Sequence, residues 1–169
     1  LFDNLLPKKI LKFIIKSYLL KINYKKNEML ELSRRKFLIN GKNIKNIRFK
    51  FLNKERNLAY PLKQWQDNEW SRLWEFNLHY FDWSRNWLTD ILSNNMNKYV
   101  SCFPELVDNW IDKNPLAEGD GWHSYTISLR IRNWILIFRF QPYLLNQKRI
   151  DSIWHQIKWL NIFNIFWKI

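Results

Sequence analysis

A single cysteine, Cys102, stands among 169 residues, which excludes an internal disulfide framework and a cysteine-rich zinc site. The three histidines lack metal-ligand spacing, so neither a metal nor a cofactor is expected. Glycine and proline are scarce, at 3 and 5 residues, while aromatic and branched apolar residues abound. That balance rules out a collagen-like, low-complexity or disordered chain. No phosphate loop of the Walker type and no serine nucleophile elbow occurs. Long apolar runs are missing too. The best, Ile131 to Phe140, is broken by Arg132 and Arg139, so no transmembrane segment is expected. Acidic residues are the last shortage, 15 against 28 Lys plus Arg, leaving a net charge of +13.

That excess concentrates anionic partners: nucleic acid, an anionic membrane surface or acidic polysaccharide. Charge alone does not choose among them, nor does it exclude a solvated basic surface with no partner. The segment Leu5 to Ile22 carries Lys8, Lys9, Lys12, Lys16 and Lys21, too many charges for a signal-peptide core. Leu11, Ile14, Ile15 and Tyr18 share one face, so it reads as a basic amphipathic helix that could also lie on a membrane surface. Leu1 in place of Met suggests a start inside a longer reading frame. Residues 1–45 are therefore expected to be a basic helix plus an irregular stretch from Asn23 to Lys45, with 46–169 as the folded domain.

Within that domain, Ile47, Phe49 and Phe51 alternate with Arg48, Lys50 and Leu52, the period of a short strand. Asn53 supplies a turn, and Leu58 to Tyr60 can pair back. From Glu69 the pattern becomes helical, with Trp70 and Trp74, then Trp83 and Trp87, four apart on one face. Pro104 marks a first helical turn, and Asn114-Pro115 closes that helix. Ile127, Ile131, Trp134, Ile135 and Phe138 stripe a strong helix that ends near Gln141-Pro142. A last helix begins near Gln147, with Ile150, Ile153, Trp154, Ile157 and Leu160 on one face. Trp159, Phe163, Phe166 and Trp167 form a second apolar face, which implies a missing neighbour. The fold class expected is mainly α, with a hairpin near residues 47–60.

Two clusters carry possible chemistry. In the first, Asn77 to Trp83, His79 and Asp82 lie three apart and would touch on a helix. In the second, a loop with Gly119 and Gly121 delivers Trp122, His123 and Tyr125 to a helix start. Arg130 and Asn133 follow on one helical face. Together they offer a cation for a carboxylate, an amide to share its charge, and aromatic faces for a sugar ring. Most Trp and Tyr at helical spacing are core, and a His–Asp pair is more often structural than catalytic. Cys102 has no activating partner in the sequence, and His155 reads as surface or core.

Leu73 to Trp83 resembles the signature of the N-terminal region of heparinase II/III-like polysaccharide lyases. So do Trp110-Ile111 with Asn114-Pro115, and Gly121 to Trp134, where Thr126-Ile127 replaces the usual Pro-Thr. Phe51 to Glu55 is similar to the strand before the first cluster, and the likeness spans most of Ile47 to Leu160. The resemblance implies an incomplete (α/α) toroid and β-elimination on uronic-acid polysaccharides, heparin-like or alginate-like. It implies substrate-binding roles for Asn77, His79, Tyr80, Trp122, His123, Tyr125, Arg130 and Asn133. It also implies a periplasmic or extracellular location, although no signal peptide is visible.

The family's Asn-His run after the last helix is replaced here by Asn161 to Trp167, so no residue inherits the catalytic roles. The expectation is the N-terminal part of a lyase, inactive alone, with an anionic polysaccharide and a second, toroid-completing polypeptide as partners. The alternative is a non-catalytic basic module for acidic polysaccharide or nucleic acid. Nucleic acid is the less expected partner, because no zinc-finger or RRM pattern occurs.

Overall fold

A computed structural model describes residues 44–87, 102–141 and 144–166. The expected basic helix Leu5 to Ile22 lies outside them, as does all but the end of the stretch Asn23 to Lys45. Strands β1 (Asn46–Phe51) and β2 (Lys54–Ala59) form an antiparallel hairpin, followed by α1 (Arg72–Tyr80), α2 (Phe103–Lys113), α3 (Ser124–Phe140) and α4 (Gln147–Phe166). Among the described residues the fold is thus mainly helical, with one short two-stranded sheet.

The hairpin starts where the alternation placed it, but its second strand is longer than Leu58 to Tyr60. Register runs from Phe51 opposite Lys54 to Asn46 opposite Ala59. The two-residue turn needs positive φ at both positions. Leu52 and Asn53 adopt φ of 52° and 60°. Asn tolerates that conformation, whereas a leucine there is strained by about 1–2 kcal/mol. Leu52 is exposed and packs little, so Leu52→Gly is expected to stabilise the chain by about 0.5 kcal/mol, after the entropy glycine loses. A lower melting temperature for that variant would contradict the turn.

Ile47 and Phe49 point inward from β1. Phe51 meets the Trp74 ring at 5.0 Å and Phe49 meets Trp83 at 5.1 Å, which seats the hairpin beside α1. Trp70 precedes α1 rather than belonging to it, yet its ring still meets Trp74 at 4.9 Å. Helix α1 ends at Phe81, a buried aromatic residue at φ 60°. The Phe81 carbonyl accepts Ser84 Oγ at 2.6 Å, so the reversal is hydrogen-bonded. Pro104 lies in the first turn of α2 and Asn114 caps its end, as their positions predict.

All five stripe residues of α3 are buried. Trp134 packs against Phe81 at 5.3 Å and Trp110 at 5.5 Å, the centre of an aromatic core. Helix α4 departs from its expected face. Of Ile150, Ile153, Trp154, Ile157 and Leu160, only Ile153 is fully buried, and the rest of the buried line is Arg149, Ser152 and Gln156. The reason is polar hooks. Arg149 forks onto Asp108 of α2 at 2.8 and 2.6 Å, and Gln156 accepts Arg130 of α3. Of the expected second apolar face, Trp159 is half-buried and donates to the Trp122 carbonyl at 3.0 Å. The side chains of Phe163, Phe166 and Trp167 lie outside the described residues.

Candidate functional site

The two clusters that stood out in the sequence meet where α1 crosses the start of α3, and they divide into a buried half and an open half. His79, Trp122, Arg130 and Asn133 are buried. His79 Nδ1 accepts the Trp110 indole N–H at 2.9 Å, and its ring stacks on Trp65 at 5.9 Å. The expected His79–Asp82 contact does not form. Helix α1 stops before Asp82, so the three-residue spacing never acquires helical geometry, and Asp82 turns to Asn133 at 2.8 Å and Arg132 at 3.3 Å. Burial, with the nearby Arg130 charge adding to it, pulls the His79 pKa down to about 3. The imidazole is therefore a neutral structural acceptor at physiological pH.

Arg130 is buried, and no carboxylate among the described residues pairs with it. Its guanidinium lies 3.7 Å from the Trp110 ring centroid and donates to Gly121 O at 2.8 Å, His79 O at 3.4 Å and Gln156 Oε1 at 2.8 Å. Burial pulls its pKa below the ordinary value. It joins α1, the glycine loop, α3 and α4 in one side chain. The loop fits closely at that point, since a Cβ on Gly121 would meet His79 Cε1 at 3.0 Å. Asn133 donates to Tyr80 O at 2.8 Å, gripping the end of α1. Trp122 donates to Asn114 O at 3.3 Å and packs between Trp110 and Trp159.

The open half is a row of aromatic rings. Tyr80 meets Phe76 at 6.3 Å in parallel and Tyr125 edge-on at 5.7 Å, while His123 lies 5.5 Å from Phe76. Tyr125 is 59% exposed, its ring met edge-on by Tyr80. His123 caps α3, its Nδ1 accepting Tyr125 N at 3.3 Å, which fixes both residues at the helix start. Arginines stand at both ends. Arg72 covers Phe76 at 5.2 Å and forks onto Asp120 at 2.8 Å twice; Arg132 binds Asp82. The Arg72 side chain is still 70% exposed, so part of its five-donor fork faces solvent. Partial burial, with Tyr125 and Asp82 adding to it, raises the Tyr80 pKa, so its phenol keeps the proton and serves as a donor.

Asn77 is half-buried and donates back to Leu73 O at 2.8 Å, within its own helix. Sequence reasoning passed over Arg72, Phe76 and Arg132. The signal for the first two was present: Arg72, Phe76 and Tyr80 lie four apart along one helical line, like the Trp pairs. Among the described residues no group of three or more His, Cys, Asp or Glu is placed to hold a metal ion. No helix among them is long and apolar enough to cross a membrane.

No family model, curated protein or solved structure matches this chain. What the surface can do is bind: ring faces for the C–H side of a pyranose, flanked by guanidinium groups that take carboxylate or sulfate.

Proposed function

We propose that this chain is the N-terminal part of a heparinase II/III-like polysaccharide lyase, its helices belonging to an incomplete (α/α) toroid. Its task is to hold an acidic, uronate-containing polymer. The observation that carries the reading is the aromatic row of half-buried Phe76 and Tyr80 with exposed His123 and Tyr125, where Arg72 covers Phe76 and Arg132 pairs with Asp82 two residues beyond Tyr80. It is built from the two segments whose residues resemble that family, and it suits a flat anionic sugar chain.

In such a reaction the C5 proton of a uronate becomes acidic once its carboxylate is neutralised. A base then removes the proton and an acid protonates the departing glycosidic oxygen. Arg72 and Arg132 supply positive charge, and Tyr80 supplies a phenolic proton donor. Of the imidazoles at the site, His79 is enclosed, and His123 on the open face uses Nδ1 to cap α3 by accepting Tyr125 N. A second polypeptide, or further chain, supplies the rest of the toroid and the base. Cleavage by the 169 residues alone, read as absorbance of the unsaturated product, would refute the inactivity.

Binding tests the rest. Tyr125→Ala, at an exposed position, is expected to weaken binding of a heparin-like oligosaccharide about fivefold or more without lowering the melting temperature. Isothermal titration at two salt concentrations reads it. Equal affinity for single-stranded DNA, with a steep salt dependence and no effect of Tyr125→Ala, would instead support a generic cationic patch.

A further inference from the structure

Asp120 and Gly121 form the one Asp-Gly peptide of the sequence, inside the loop that feeds α3. In such a pair the glycine nitrogen can attack the aspartyl side-chain carbon, because glycine brings no side chain to obstruct the approach. The carboxyl hydroxyl and the amide proton leave together as water, and a five-membered cyclic imide forms. Water then opens either carbonyl of the ring. One opening restores aspartate, and the other routes the main chain through the side chain as isoaspartate, with no atom gained or lost overall. Ring closure needs the Gly121 nitrogen to eclipse the Asp120 Cβ. Asp120 opens a short 3-10 turn, Asp120–Trp122, pinned by Trp122 N to Gly119 O at 3.1 Å and His123 N to Asp120 O at 3.2 Å. The ψ of about −25° usual in such a turn rotates that nitrogen away from Cβ.

The side chain is held as firmly as the backbone. Arg72 Nε and Nη2 each donate to one Asp120 oxygen at 2.8 Å, a fork that fixes the plane of the carboxylate. The same guanidinium holds the Asp120 carboxyl below the usual carboxylate range, so it stays ionised, and an ionised carboxylate is a poor electrophile. We propose that Asp120–Gly121 is a latent isoaspartate modification site and that the Arg72 fork keeps it closed. Conversion there would lengthen the main chain by one methylene beside the buried Gly121, whose carbonyl Arg130 holds at 2.8 Å. The loop has no slack for it, since even a Cβ on Gly121 would meet His79 Cε1 at 3.0 Å. Arg72 thus guards the junction that sets Trp122, His123 and Tyr125 at the start of α3.

The test is ageing of the whole chain in warm neutral buffer, followed by proteolysis and peptide mapping. Mapping separates position 120 from Asn40-Gly41, a pair that reaches isoaspartate through the same imide. The chain unfolded in urea sets the unrestrained rate, and the native chain is expected to convert at Asp120 about tenfold more slowly or less. Arg72→Ala is expected to raise the native rate about fivefold, and Arg72→Lys, which keeps the charge without the fork, by less. Arg132→Ala frees Asp82 at the other end of the aromatic row and is expected to leave position 120 unchanged. Native conversion as fast as in urea, no acceleration in Arg72→Ala, or equal acceleration in both alanine variants would each overturn the proposal. Should circular dichroism show Arg72→Ala unfolded, Arg72→Lys decides, and a rate equal to the wild type would overturn it. Neither ligand nor activity enters the test, so the outcome is independent of the lyase reading.

Discussion

Acidification from pH 7 to pH 4 is expected to cost the fold several kcal/mol through one side chain, His79. Its neutral form is enclosed by Trp65 and Trp110, with Arg130 of α3 supplying a like charge and Asp120 of the loop a weaker opposing one. The ordinary value of 6.5 falls to about 3 in the folded chain. Above pH 6.5 the imidazole is neutral in both states and contributes no pH dependence. Between 6.5 and 3 the unfolded chain binds a proton that the folded chain refuses, so stability rises with pH across that window and is lost as pH falls. The full penalty is on the order of 4 kcal/mol, a large share of the stability of an ordinary domain. His79→Gln keeps an acceptor for the Trp110 N–H and removes the titration. Urea denaturation at several pH values should show a slope in the wild type that flattens in the variant. Parallel slopes would exclude His79 as the source.

Replacing Arg130 is the second large effect. A buried guanidinium without a carboxylate is an expensive group; its Nε–H meets Gln156 Oε1 and its Nη1 meets Gly121 O and His79 O, its plane lies on Trp110, and Nη2 finds no partner among the described residues. Arg130→Ala leaves those acceptors unpaired and opens a cavity where four segments converge. The expected loss is about 4 kcal/mol, enough to unfold a marginal domain. Arg130→Lys retains the charge but not the planar fork, so about half that loss is expected. Chemical denaturation of both variants checks the order, and a loss below about 1 kcal/mol for the alanine would show that the hub is not structural.

Arg130 and His79 also mark the boundary of what the sequence could reveal. The residues alone offer Arg130 as a cation for a carboxylate and His79 as a partner of Asp82, and only the family resemblance implies substrate contacts for both. Their residue types carry no record of burial. Period-two alternation located β1, and the apolar stripe of α3 located its buried face, since each pattern follows from the repeat of the backbone itself. The turn at Asn53 and the helix stop at Asn114-Pro115 were legible for the same local reason.

Two other features were not local. Helix α4 buries Arg149, Ser152 and Gln156, a line that periodicity of apolar residues cannot find, because its partners Asp108 and Arg130 come from distant segments. The pairing expected between His79 and Asp82 failed because Phe81 leaves helical torsions between them.

Sequence by itself determined the element types, the aromatic core stripe and the surplus of positive charge, all properties of residues and their near neighbours. Tertiary structure alone decided which half of each cluster faces solvent. Packing α1 against α3 encloses His79, Arg130 and Asn133, and it leaves Tyr80, His123 and Tyr125 outside with Phe76. Burial is a property of what lies across the contact, and that neighbour is dozens of residues away along the chain.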